Sequence, residues 1–314
     1  MAAQSGSRLV VYAALVGNGL IAITKFVAAA WTGSSAMLSE GVHSLVDTGN
    51  ELLLLYGLHR AERPPDTGHP FGHGRELYFW SFVVALLIFA LGAGVSLYEG
   101  VIHILDPEPI ENPTVNYIVL GLSVVFEGVS WWVAFKEFGK EKGRLGYVAA
   151  IKRSKDPTTF TVLVEDSVAL LGLLIAFVSI FAAQITGIHE LDGVGSIGIG
   201  LLLAGTAIFL ARESKNLLIG EPALPELQRA IVAIAAADPA IRKVNGVVTS
   251  QLGPDQVVAA LSADFRDELR TPEIEACIER LEAHLHTNHP EVTAIFVKPQ
   301  KHETWEERAR LLAD

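Results

Sequence analysis

The chain has 314 residues, half of them hydrophobic and only 19% charged, a balance that points to a bilayer rather than to water. Its formal net charge of −11 is no nucleic-acid signature. The lone cysteine, Cys277, excludes an internal disulfide and a cysteine-rich zinc knuckle.

Along the chain, apolar runs of spanning length occur at residues 9–31, 34–58, 78–101, 114–135, 160–183 and 194–211. A bilayer needs roughly 20 such residues per helix, so six transmembrane helices are expected within residues 1–213. The first run lacks a small-residue cleavage site and five more follow it, so it is expected to be a retained helix rather than a signal peptide. The loop after the second run carries Arg60, Arg63 and Arg75, and the loop after the fourth carries Lys140, Lys142, Arg144, Lys152, Arg153 and Lys155. Residues 103–112 and 184–192, on the other side, hold no Lys or Arg. The bias toward basic cytoplasmic loops therefore places both termini in the cytoplasm.

The second run is interrupted by His43 and Asp47. At i, i+4 they share a helix face, and an imidazole with a carboxylate is half of a tetrahedral metal site. Running outside to inside, this helix puts them roughly 14–20 Å below the outer surface. The fifth run brings Glu165 and Asp166 to roughly 9–11 Å from the inner edge of the core, a similar depth. A lone histidine would read as an interhelical hydrogen bonder; four such groups at one level read as a cation path. Glu40, one turn before His43, is expected to be an outer-vestibule charge, and Glu99 and Asp192 to be solvated at span ends. Glu127 lacks a spacing partner, Lys25 can snorkel or pair with a carboxylate, and Asn18 can bond between helices. None of these is assigned to the site.

From residue 214 the pattern becomes mixed and soluble. A helix is expected over 225–236, strands over 246–251 and 256–264, a helix over 272–286 and a strand over 292–298, with Gly253-Pro254-Asp255 turning a hairpin. His284, His286 and His289 read as solvated.

Several motifs resemble the cation diffusion facilitator family, whose members are mainly zinc/proton antiporters. They are residues 35–47 in the second span, His69-Pro70-Phe71-Gly72-His73-Gly74-Arg75 in the next loop, and Val162-Leu163-Val164-Glu165-Asp166 in the fifth span. Ser154-Lys155-Asp156-Pro157 and Leu217-Leu218-Ile219-Gly220-Glu221 look like the branch of zinc transporter nine and its bacterial relatives. The resemblance implies an α-helical membrane protein. A six-helix transport bundle over 1–213 would carry a cytoplasmic αββαβ metallochaperone-like dimerisation domain over 214–314.

It also implies a transport site in which His43, Asp47 and Asp166 match the family's ligands. The remaining family ligand is a histidine four residues before Asp166; here that position is Val162, which cannot bind metal. Glu165 is the candidate replacement; because adjacent helical residues point about 100° apart, the other reading is that one of the two faces a different helix or carries protons. Zinc is the expected cargo, with manganese, iron or cobalt open because the ligand set is oxygen-rich, and protons are the expected coupling ion. Asp66, His69 and His73 match a loop zinc site of bacterial members; a structural loop docked on the helix ends, with His73 making a hydrogen bond, is the other reading. Asn245 and Phe296 to Lys298 occupy the family's terminal zinc positions without a usable ligand set, so that domain is expected to dimerise by packing. The implied partners are the bilayer, divalent metal ions and a second copy, in a bacterial inner membrane or an organelle membrane. An intramembrane metalloenzyme is the rival: the same groups can activate water, yet no span holds a His-Glu-Xaa-Xaa-His arrangement. A proton-coupled organic-cation transporter would not need His43 or the loop.

Overall fold

The structure is a computed structural model, and residues 2–107, 109–110 and 112–311 are described. Glu108 and Glu111, acids of the 103–112 loop, and the last three residues lie outside the described part. The helices run α1 (Ala2–Thr32), α2 (Ser35–Ala61), α3 (Arg75–Leu87), a π-helical turn (Ile88–Ala93), α4 (Gly94–Leu105), α5 (Pro113–Glu141), α6 (Tyr147–Arg153), α7 (Pro157–Thr186) and α8 (Glu190–Ile219). Then come α9 (Pro225–Ala237), β1 (Ile241–Gly253), β2 (Gln256–Phe265), α10 (Thr271–Asn288), β3 (Val292–Pro299) and α11 (His302–Leu311). The chain divides into two compact units. One holds the residues up to Ala61 and Glu76–Lys215; the other holds Glu62–Arg75 and the residues from Asn216 on.

The first unit is a helical membrane bundle. Leu15–Thr32, Arg75–Leu105, Pro113–Lys140, Pro157–Thr186 and Glu190–Ile219 are each long and apolar enough to cross a bilayer. The sixth helix, α2, has 27 residues, about 40 Å at 1.5 Å per residue. It is less apolar because its buried side carries Glu40, His43, Asp47, Asn50 and Glu51. Outward faces are apolar instead: Val16, Leu20, Ile23, Val27 and Trp31 leave an exposed stripe along α1, as a lipid-facing helix requires. The third span is α3, the π turn and α4 in one continuous rod. α4 and α8 approach closely through small residues, since a Cβ on Gly100 would stand 2.7 Å from the Gly193 carbonyl oxygen. Pro157 at the first turn of α7 and the Asp156 carboxylate, which accepts from Thr158 N at 3.0 Å, start that helix.

The second unit is a two-layer α/β module. β1 and β2 form an antiparallel hairpin, and β3 adds in parallel to β2, giving the order β1-β2-β3. Leu227 and Ile231 of α9 and Cys277, Leu281 and Leu285 of α10 bury against Val257, Ala259, Leu261 and Ala263 of β2. α11, with no counterpart in the sequence reading, lays Trp305 over Gly246, where a Cβ would come within 2.8 Å of the indole.

Candidate metal centre

The start of α2 is fixed by capping. Ser34 Oγ accepts from Met37 N at 3.2 Å, and the Asp192 carboxylate of α8 accepts from Ala36 N at 3.3 Å and from Ser34 Oγ at 3.1 Å. Asp192 is fully buried, with His103 Nε2 3.8 Å away. This corrects the expectation of a solvated span end: the carboxylate satisfies amides that a helix start leaves open.

Farther along α2, His43 Nδ1 lies 3.3 Å from Asp47 Oδ2, with both side chains 2% exposed. Both His43 nitrogens and Asp47 Oδ1 have no hydrogen-bond partner within the protein. On α7, Glu165 and Asp166 diverge as neighbours on a 100° helical step must. Asn50 Nδ2 of α2 donates to Glu165 Oε1 at 2.9 Å, and Ser130 Oγ of α5 donates to Asp166 Oδ2 at 2.7 Å. Both carboxylates interact electrostatically with Asp47, and Asp166 also with His43. The structure thus pairs His43 with Asp47 and leaves Glu165 and Asp166 within electrostatic reach of Asp47, each with a hydrogen bond of its own. It does not gather the four ligand atoms as closely as those of the Asp66, His69 and His73 loop. Val162, one turn before Asp166, is buried.

A second polar cluster adjoins the first. Lys25 Nζ of α1 donates to Glu40 Oε2 at 2.9 Å and to Ser44 Oγ at 2.8 Å, and Glu127 Oε1 of α5 lies 3.7 Å away. Lys25, Glu40 and Glu127 are fully buried, so Glu40 is no vestibule charge. Asn18 of α1 bonds between helices, donating to Glu51 Oε1 at 2.7 Å. Glu51 was missed by the sequence reading, although His43, Asp47 and Glu51 repeat the same four-residue step. Glu40, Asp47, Glu51, Glu127, Glu165 and Asp166 are all buried beside one lysine and one histidine. Uncompensated, that burial is prohibitive; a divalent cation and protons are what this chemistry accepts.

The loop of the second unit gathers its three predicted ligands. Among the described residues, Asp66, His69 and His73 alone form an acidic or histidine group of three with ligand atoms within 4.8 Å of one another. Asp66 Oδ1 accepts from the amides of Gly68 at 2.8 Å and His69 at 2.7 Å; His73 Nε2 lies 3.0 Å from Asp66 Oδ2 and His69 Nδ1 lies 3.4 Å from Asp66 Oδ1. Hydrogen bonding from His73, then from the His69 amide, holds the Asp66 carboxyl down at about 2. Zinc–nitrogen bonds of 2.0–2.1 Å set tetrahedral donors roughly 3.3 Å apart, close to these two separations between Asp66 and the histidines. The loop is also docked: Arg75 Nη2 donates to Ser250 Oγ at 3.2 Å, and Phe71 meets Phe296 edge-on at 6.2 Å. The hydrogen-bonded His73 of the structural-loop reading is present together with the metal-site spacing, while the docking is on strands β1 and β3 rather than on helix ends. In the terminal domain Asn245 is engaged with Ser262, Gln300 and His302, and His284 and His286 are exposed.

Fold and site together define a helical membrane protein with a buried cluster of acidic and histidine side chains. Residues 11–219 match the cation efflux transmembrane domain, and the chain belongs to that family, the cation diffusion facilitators. It is 37% identical over 265 residues to the Xenopus laevis protein named proton-coupled zinc antiporter SLC30A9, mitochondrial, covering 83% of this chain and 47% of that one. It is 33% identical to metal tolerance protein C4 of Arabidopsis thaliana (84% and 58% covered) and 29% identical to the cation-efflux pump FieF of Cronobacter sakazakii (88% and 86%). The chain spans about half the length of the SLC30A9 relatives it matches.

Proposed function

We propose that the protein is a zinc/proton antiporter that exports zinc from the cytoplasm by alternating access. The observation that carries this reading is the buried His43–Asp47 pair, with the buried Glu165 and Asp166 carboxylates within electrostatic reach of Asp47. Ligands hold metal only when deprotonated, so zinc and protons compete for the same atoms. Metal is captured in the cytoplasm-facing state and displaced by protons in the opposite state, as one helix group rocks against another. The names of the relatives, a proton-coupled zinc antiporter and a cation-efflux pump, support the cargo, the coupling ion and the direction.

His43, Asp47, Asp166 and Glu165 are the proposed transport ligands, and Asp66, His69 and His73 a second zinc position in the loop. One imidazole among carboxylates binds zinc more weakly than two would, and admits manganese, iron or cobalt. Residues 1–213 act as the transport domain and 214–314 as a cytoplasmic dimerisation domain of a homodimer with both termini in the cytoplasm. The proposed setting is a bacterial inner membrane; the SLC30A9 relatives carry "mitochondrial" in their names, which makes an organelle membrane the other setting. The test is zinc flux into liposomes holding the purified protein, with and without an imposed pH gradient. An acidic interior should drive zinc accumulation; flux indifferent to the gradient would overturn proton coupling.

A further inference from the structure

The polar face of α2 does not stop at Asp47. Glu51 stands one turn farther toward the C-terminal end of α2, on the same face, and is 1% exposed. Its Oε1 accepts from Asn18 Nδ2, while Glu51 Oε2 and Asn18 Oδ1 have no hydrogen-bond partner within the protein. Turning the Asn18 amide over would set two oxygens against each other, so the present orientation is the favourable one. Asn50 gives its Nδ2 to Glu165, which leaves Asn50 Oδ1 unpartnered, and Asp47 Oδ1 is unpartnered as well. All of these side chains are more than nine-tenths buried.

Buried polar atoms are almost always paired. Here four oxygens from adjoining positions on α1 and α2 are not, and every one of them is an acceptor. A set of acceptors is satisfied by a cation. The charged groups acting on Glu51 are Asp47 from its own helix and Glu165 and Asp166 from α7, all acidic. Lys25 of α1 is engaged with Glu40 and Ser44 instead.

We propose that Glu51, Asn18, Asn50 and Asp47 form a second cation position within the membrane helices, one turn from the His43–Asp47 pair, for a divalent ion that prefers oxygen. The proposal rests on the reading of α2 as a metal path. Carboxylate and amide oxygens without nitrogen or sulfur suit manganese-like ions, whereas the imidazole of His43 favours zinc. Asp47 belongs to both positions: Oδ2 faces His43, and Oδ1 is unpartnered.

The test is calorimetric titration of the full-length protein in detergent, first with Mn2+ alone and then with Zn2+ alone. Glu51→Gln, which keeps the shape of the side chain, should weaken Mn2+ binding about tenfold or more, close to 1.4 kcal/mol, and zinc far less. His43→Ala should do the reverse. Asn18→Ala, checked with Glu51→Gln for cooperative thermal unfolding, gives a second route if one variant fails to fold; it should also weaken Mn2+. Unchanged Mn2+ affinity in both Glu51→Gln and Asn18→Ala would overturn the proposal, as would Mn2+ binding lost only with His43→Ala. A change confined to the number of protons released per zinc bound would also overturn it, making Glu51 a proton carrier. Absence of zinc flux in wild-type liposomes would defeat the transport reading instead, and would leave this binding comparison to stand or fall by itself.

Discussion

Lys25 Nζ lies 2.9 Å from Glu40 Oε2, and neither side chain has any exposed surface. The pair links α1 to α2 immediately before His43, with Glu127 of α5 close by. Gly172 of α7 makes the room, because a Cβ there would collide with the Glu40 carboxylate.

Removing one partner of such a pair strands the other as a buried charge. Lys25→Met should therefore destabilise the protein by about 3–5 kcal/mol. The double variant Lys25→Met/Glu40→Leu should recover much of that loss, because the buried charges leave together. Thermal unfolding of the two proteins in the same detergent checks this. Equal losses would show that packing around Lys25, rather than its charge, matters.

Val162 is buried one turn before Asp166, where a histidine would restore a two-imidazole ligand set. Val162→His should raise zinc affinity about tenfold relative to manganese, since imidazole suits zinc better than a hard ion. Calorimetry with each metal measures the ratio. An unchanged ratio would mean that position 162 does not reach the ion.

Asp66 titrates at about 2 against an ordinary 3.8, because His73 and the amides of His69 and Gly68 favour the carboxylate. A depressed folded-state value contributes stability that is present above the ordinary value and lost as pH falls through the folded one. Asp66→Asn should thus lower the melting temperature by its full amount at neutral pH. The difference from wild type should shrink between about pH 4 and pH 2. Thermal melts across that range check it; a constant difference would place the loop's stability elsewhere.

Much of the bundle was legible because periodic apolar runs and spanning length are local properties. The His43–Asp47 step and the Asp66/His69/His73 group were legible for the same reason: both lie within one short segment. What the sequence hid is long-range choice of partner. Lys25 with Glu40, Asn18 with Glu51 and Asp192 with Ser34 join positions 15, 33 and 158 residues apart, and only packing selects them. Solvation was the reasonable expectation for Asp192 at a span end, until α2 was seen to begin against it. α11 was invisible because it is mostly polar and short, and its Trp305 finds Gly246 only in the folded chain. α6 is a single short helix whose Tyr147 stacks on Phe135 at 4.7 Å, again a tertiary contact.

The central claim is that His43 and Asp47 of α2, with the α7 carboxylates beside them, hold the ion that crosses the membrane. Zinc flux into liposomes under an acidic interior, measured for wild type, Asp47→Ala and Asp166→Ala at matched protein content, tests it most directly. Both variants should fall to the protein-free background while retaining a cooperative melt. Full zinc flux in both variants would contradict the assignment.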